Sequence, residues 1–382
     1  MKYILVIGLG PAGLFLLRQF GKAGYKCFGI TNKYEIGAAS KYLMKSIVVN
    51  DLIFYKELED ILENYGSPRA TFITSDYFLN LLQTKYDEYF NKLNIIGPSK
   101  KTVENVLNKN KLYSILGEEF VKFIKLYDTE RIKKISLNEY PIAIKLKDKN
   151  ITSDFNQIGK IKVLQNFSDT KNLINIILDS KINRHNLLVQ KYLEGDNGNQ
   201  FSFGGYAKDG KILMGIVVNQ AKQYPQGVTA EATEIIGKTK EDITKIATKI
   251  LSELKYTGFI EVEMKRYNEL YYLLDINSRV WGWVSILGKK YSDFTKIIFE
   301  NKVYEDNNQG KTFFWISPSR LIVARKNKLN IKSNTLKKIL SKKYKVSFDV
   351  FALSDLKPSI SSMVFSIKKI LLKIFNKQRV KK

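Results

Sequence analysis

Residues 3–13, Tyr-Ile-Leu-Val-Ile-Gly-Leu-Gly-Pro-Ala-Gly, constrain the fold of this chain more than any other stretch. Tyr3-Ile4-Leu5-Val6-Ile7 is a continuous apolar run, the pattern of a strand buried on both faces. Glycines at 8, 10 and 13 end it, and Leu14, Leu17 and Phe20 then recur at helical spacing. A buried strand that turns directly into a helix opens a parallel sheet with crossover helices. The alternation continues with a strand at 24–30, a helix at 52–65 and a strand at 70–74. This layer is expected to end near Ile95-Ile96-Gly97-Pro98, which sets a first domain at residues 1–98.

Gly8-x-Gly10-x-x-Gly13 between strand and helix is also the dinucleotide-binding fingerprint. It admits a flavin- or NAD-dependent oxidoreductase as one reading. The fingerprint wants an acidic residue at the end of the second strand, where this chain has Thr31-Asn32 and reaches Glu35 only later. The other reading gives the glycines to the turn and to helix–strand packing alone. Thr74-Ser75-Asp76, at the end of the next strand, is read either as facing a substrate or as capping the helix that follows.

Composition removes several classes. With 382 residues and 44% apolar content, the chain can bury the cores of more than one domain. One cysteine, Cys27, excludes an intrachain disulfide and cysteine-rich metal sites. One histidine, His185, sits in a polar run without a nucleophile elbow, which argues against a Ser–His–Asp triad. The formal charge is +26, but only nine of the 63 basic residues are arginine. Nucleic-acid readers lean on arginine forks, so no nucleic acid is expected. No run of about 18 apolar residues exists, and the start is a strand rather than a signal peptide, so a cytoplasmic place is expected.

The charge is uneven. Residues 325–382 carry 17 Lys/Arg against Asp349 and Asp355. Residues 301–382 are read as an irregular, basic C-terminal extension. Within it, Ile360, Met363, Val364, Ile367, Ile370, Leu371 and Ile374 fall at helical spacing, with Lys368, Lys369, Lys373 and Lys377 mostly off that stripe. Such a basic amphipathic helix suits an anionic lipid surface at the inner face of the membrane; it equally suits docking on the protein's own body. A basic binding module for nucleic acid or membrane is a third functional class on this ground.

The middle of the chain is strand-rich, with strands at 141–145, 187–192, 201–207, 211–218, 259–264 and 271–276 and a helix at 240–255. Residues 259–266 and 271–279 read as an antiparallel hairpin. Side chains alternate faces along a strand, so Glu261, Glu263 and Lys265 share one face, as do Asp275, Asn277 and Arg279 on the partner. Glu263, Asp275 and Asn277 can therefore meet at one spot. Those are hard oxygen donors of the kind magnesium takes alongside phosphate oxygens. The alternative is a solvated face with ordinary cross-strand charge pairs.

Here the sequence resembles the ATP-grasp superfamily, in its carbamoyl-phosphate-synthase-like carboxylate–amine ligase branch. Glu-Val-Glu-Met-Lys-Arg at 261–266, followed by Leu-Leu-Asp-Ile-Asn-Ser-Arg-Val-Trp-Gly at 273–282, is similar to that family's metal-binding end. The hinge strand that holds adenine is matched by residues 187–195, the strand with a phosphate-binding lysine by 141–145, and the Asp-Lys before a helix by Asn110-Lys111. Residues 219–225 resemble a stretch that presents a cation to the triphosphate. Departures are Lys191 at a usually acidic position (with Glu194, Asp196 or Asn199 nearby), a glycine-poor phosphate loop at 148–160, Asp275 for Glu, and Lys222 for arginine.

The resemblance implies a mixed α/β and α+β architecture: a Rossmann-like pre-ATP-grasp domain at 1–98, then an ATP-grasp domain at 99–300 in two parts, 99–186 and 187–300. It implies ATP with Mg2+, or Mn2+ in its place, as cofactors. Glu263, Asp275 and Asn277 would hold the metal. Lys111, Lys145, Gln190, Lys191, Tyr192, Leu193 and Glu194 would bind nucleotide, and Arg279 and Lys222 would act on the transferring group. The implied reaction activates a carboxylate as an acyl phosphate and joins it to an amine, with small-molecule acid and amine as partners and a homodimer as a compatible assembly. D-aspartate ligases and surface-polysaccharide amidating enzymes are similar proteins, which points to a cell-envelope precursor.

Overall fold

A computed structural model describes residues 2–119, 121–128, 135–146, 161–179, 187–195, 197–302, 310–326 and 334–364. The loop at 148–160, His185, Asp196 and the helical pattern beyond residue 364 lie outside the described residues.

The first layer is a parallel sheet of β1 (Tyr3–Ile7), β2 (Lys26–Thr31), β3 (Leu43–Val48) and β4 (Ala70–Ile73) in the order β3-β2-β1-β4. Helix Pro11–Lys22 makes the first crossover, starting directly after the glycine turn. Gly8 has φ +97, which a side chain would strain, and a Cβ on Gly13 would stand 2.1 Å from the Gly8 carbonyl oxygen. Sequence reading missed β3, because its Leu-Met-Lys-Ser-Ile-Val mixes exposed polar and apolar residues at the sheet edge.

Helices Lys100–Leu107 and Lys109–Leu116 lead into short strands β5 (Lys122–Phe123) and β6 (Leu126–Tyr127). Then come β7 (Ile142–Leu146), β8 (Lys162–Leu164), helix Phe167–Asp179 and β9 (Leu187–Lys191). Four of these strands form an antiparallel sheet in the order β6-β9-β7-β8. It has its own small core of Ile142, Ile144, Leu164, Leu173, Leu187 and Val189.

The third sheet contains β10 (Gln200–Lys208), β11 (Lys211–Gln223), β12 (Thr229–Glu234), β13 (Gly258–Tyr267), β14 (Leu270–Asn277), β15 (Thr312–Ile316) and β16 (Tyr344–Phe348). With β5 it has eight strands in the order β16-β15-β12-β11-β10-β13-β14-β5. Helix Lys238–Glu253 packs on it. Phe15 and Phe20 of the first layer meet Phe294 in edge contacts, and Phe294 stacks on Phe259 of β13, so first layer and large sheet share one core.

Two readings of the sequence are corrected. β12 was missed because Thr-Ala-Glu-Ala-Thr-Glu carries helix-favouring Ala and Glu; pairing on both sides with β11 and β15 overrides that preference. From 301 onward, the described stretches 310–326 and 334–364 are not an irregular extension. Phe313, Phe314, Trp315 and Ile316 are buried in the large sheet, and β16 pairs in parallel with β15. Asp355 is buried against Arg18, with Nε to Oδ2 at 3.0 Å, and also accepts from Ser40 Oγ at 2.7 Å.

Candidate active site

The hairpin of β13 and β14 closes through Asn268-Glu269, at φ 47 and 62, between the paired residues Tyr267 and Leu270. Two consecutive positive-φ residues make the mirror-image turn whose twist matches that of paired strands. The resulting register sets Glu261 opposite Asn277 and Glu263 opposite Asp275. The oxygen donors expected to converge therefore stand on adjacent rungs, and Glu263, Asp275 and Asn277 all line one cleft.

Asn277 is held by two carboxylates. Its Nδ2 donates to Glu261 Oε2 and Glu263 Oε1, each at 2.9 Å. With both amide hydrogens engaged, its Oδ1 is the atom left to accept or ligate. Glu261 was read only as a face-mate, yet it anchors the group. It is buried, and Oε1 accepts from Trp283 Nε1 at 2.6 Å and Gln220 Nε2 at 3.0 Å. Trp283, just past the hairpin, was the sequence signal for such a buried acceptor. A buried indole N–H needs a partner.

Two residues expected at the reacting group stand elsewhere. Arg279 does not line the cleft. It forks onto Asp76, Nε to Oδ1 at 2.6 Å and Nη2 to Oδ2 at 2.8 Å, and it is Asp76 that lines the cleft. Burial works against the Arg279 charge, but Asp76, Glu261 and Glu263 outweigh it and hold its pKa above the ordinary arginine value. Lys222 also lies off the lining. Its Nζ donates to Glu231 Oε1 at 2.9 Å and Thr335 Oγ1 at 2.8 Å, because β12 and helix Thr335–Leu340 bring a buried carboxylate and hydroxyl within its reach. Of the two readings for Thr74-Ser75-Asp76, the cap is present. Ser75 Oγ accepts from the Phe78 amide at 3.3 Å, while Asp76 faces the cleft.

The opposite wall is the small sheet. Lys145, Gln190, Tyr192 and Leu193 line the cleft there. The Gln190 side chain is buried, and its Oε1 has no partner. Lys191 turns away, donating to the carbonyls of Glu139 at 2.7 Å and Tyr140 at 3.2 Å, and exposed Glu194 is off the lining. Lys265, whose role sequence reading did not assign, bridges the two walls: its Nζ donates to Leu193 O at 2.8 Å and Gly195 O at 3.2 Å.

The helix expected after Asn110-Lys111 begins two residues earlier, at Lys109. Asn108, not Asn110, caps helix Lys109–Leu116, its Oδ1 accepting from the Lys111 amide at 3.1 Å. Lys109 Nζ donates to the Leu274 carbonyl and stands 3.9 Å from Asp275 Oδ1. Lys111 also lines the cleft, from an exposed position one turn into the helix. Lys109, Lys111, Lys145 and Lys265 thus line the cleft together with the oxygen donors.

The cleft holds about 990 Å³, the size of a nucleotide-class site. The glycine turn is a different matter. The Leu9 amide, the sort of group a pyrophosphate would take, donates to Glu35 Oε2, which also accepts from Thr31 Oγ1 at 2.9 Å. A carboxylate of the chain itself therefore already engages this amide of the glycine turn.

No protein-family model matches the sequence, and no curated protein matches it. Solved structures do. An L-amino acid ligase from Bacillus licheniformis aligns with a TM-score of 0.59 at 14% identity, over 80% of this chain and 75% of that one. A biotin carboxylase from Campylobacter jejuni, solved as a beta-gamma-ATP complex, aligns at 0.61 and 17%, over 79% and 71%. The biotin carboxylase domain of the Hydrogenobacter thermophilus 2-oxoglutarate carboxylase, solved with MgADP and bicarbonate, aligns at 0.55 and 18%, over 73% and 64%. With a parallel first layer, a small antiparallel sheet and a large one closing a cleft between them, this chain has the ATP-grasp fold.

Proposed function

We propose that the chain is an ATP-dependent carboxylate–amine ligase. The observation that carries this is the meeting of Glu263, Asp275 and Asn277 with Lys109, Lys111 and Lys145 in one cleft, opposite the unpartnered Gln190 acceptor. ATP-bound and MgADP-bound neighbours of the same fold support it.

The donor set fits magnesium. Two carboxylates and an amide oxygen are hard ligands, too few for a complete cage, and Mg2+ is commonly completed by water and phosphate oxygens. When bound, the ion would neutralise charge between the β- and γ-phosphates. Lys109, Lys111 and Lys145 would carry the remaining phosphate charge. Gln190 Oε1 can accept from an exocyclic amino group, and the hinge backbone at Leu193, tied by Lys265, would position the base. Arg279 acts through Asp76 as a positioning residue, fixing where that carboxylate stands in the cleft.

A carboxylate is a poor electrophile because its leaving group is oxide. Transfer of the γ-phosphoryl group gives an acyl phosphate and ADP. Attack by an amine then gives an amide and releases phosphate, and the process depends on positioning and charge neutralisation. An envelope- or surface-polysaccharide precursor as the acid or amine is supported by the basic C-terminal segment and by the likeness to D-aspartate ligases and surface-polysaccharide amidating enzymes. The test is ADP release with Mg2+-ATP across a panel of acids and amines. Glu263→Ala should abolish release with a nearly unchanged melting curve; Asn277→Ala should abolish it too, with a loss of roughly 1–3 kcal/mol in stability because buried Glu261 loses a donor. Full turnover in either variant would remove the metal assignment.

A further inference from the structure

Residues 351–364 present the reverse of a soluble surface. Asp355 is 2% exposed and Pro358 is buried, whereas Leu353 is 80%, Ile360 56% and Met363 61% exposed. Phe351, Leu356 and Val364 are exposed as well. The amphipathic stripe, which suits either lipid or docking on the protein's own body, faces outward in the part described, with polar Ser359 and Asp355 on the inner side. Ser359 Oγ donates to Val350 O at 3.4 Å. The segment is not loosely placed. Asp355 is locked by Arg18, Ser40 and the Lys41 amide, and Arg18 Nη1 donates to Val350 O at 2.8 Å. A rigid base thus holds six apolar side chains in water, a patch that calls for an apolar partner.

Charge selects the partner. Lys41 and Lys357 are exposed beside the patch, and residues 325–382 carry 17 basic residues against two acidic ones. A second copy of the chain, itself at +26, would bring like charge to the same place. A bilayer with anionic headgroups offers both an apolar interior for the side chains and negative charge for the lysines. We infer that residues 351–364 form a membrane-docking surface for anionic lipid, laid in the interfacial plane. This does not depend on the ligase reading. No helix among the described residues is long and apolar enough to cross a membrane, so docking here is peripheral.

The full chain should pellet with vesicles of phosphatidylcholine plus phosphatidylglycerol and stay in solution with phosphatidylcholine alone. The variant Leu353→Asp/Ile360→Asp/Met363→Asp should lose pelleting while its melting curve and nucleotide binding stay unchanged, since these side chains are exposed. Raised salt should weaken wild-type pelleting. The inference is overturned by equal pelleting of variant and wild type, or by equal pelleting with neutral vesicles. It is also overturned if vesicles are ignored while sedimentation velocity shows a dimer that the same substitutions dissolve.

Discussion

Asn277 and Glu261 show how the site is divided between holding and reacting. Glu261 is buried and accepts from Asn277, Trp283 and Gln220, whereas Glu263, on the same face two residues on, reaches the cleft. Replacing each by leucine should separate the roles. Glu261→Leu takes the acceptor from an indole N–H and two side-chain amides and should cost on the order of 3 kcal/mol in urea unfolding. Glu263→Leu should cost less than about 1 kcal/mol while abolishing turnover, because a partly exposed carboxylate keeps access to water. Equal losses of stability would refute the division. Face alternation grouped these residues correctly from sequence. It could not say which carboxylate is buried, since burial depends on Trp283 returning over the hairpin. Cys27 belongs to this scale too: burial pushes its thiol up to about 12, so it is a packing residue rather than a reactive one.

Elements were legible where local rules suffice. The glycine turn and its flanking strand and helix follow from chain chemistry over about a dozen residues, and so does the Asn-Glu hairpin turn. The steric role of Gly13 gives a sharp expectation. Gly13→Ala places a methyl against the Gly8 carbonyl and should destabilise the first layer by about 3 kcal/mol, read as a lower thermal midpoint. A variant as stable as the wild type would mean that these glycines serve something other than packing. β12 and β3 were not legible, for opposite reasons. One carries helix-favouring residues in a buried strand, and the other lies at an edge where polar residues break the alternation. In both cases the neighbouring strand, not the segment, decides the conformation.

Across the whole molecule, the C-terminal segment is a latch on the N-terminal layer. Asp355→Ala leaves the Arg18 guanidinium buried without its carboxylate and should cost roughly 3–5 kcal/mol. Adding Arg18→Met should recover part of that loss, because the unpaired charge goes with it. A single variant as stable as the wild type in denaturant would show the latch to be dispensable. By itself the sequence determined the parallel first layer, the hairpin and the set of oxygen donors on it, because periodicity and turn chemistry act between near neighbours. Tertiary structure alone decided which cations serve the cleft, that Arg279 answers to Asp76 across 203 positions, and that Arg18 answers to Asp355 across 337. A charge pairs with whatever opposite charge packing brings within reach, and separation along the chain carries no trace of that choice.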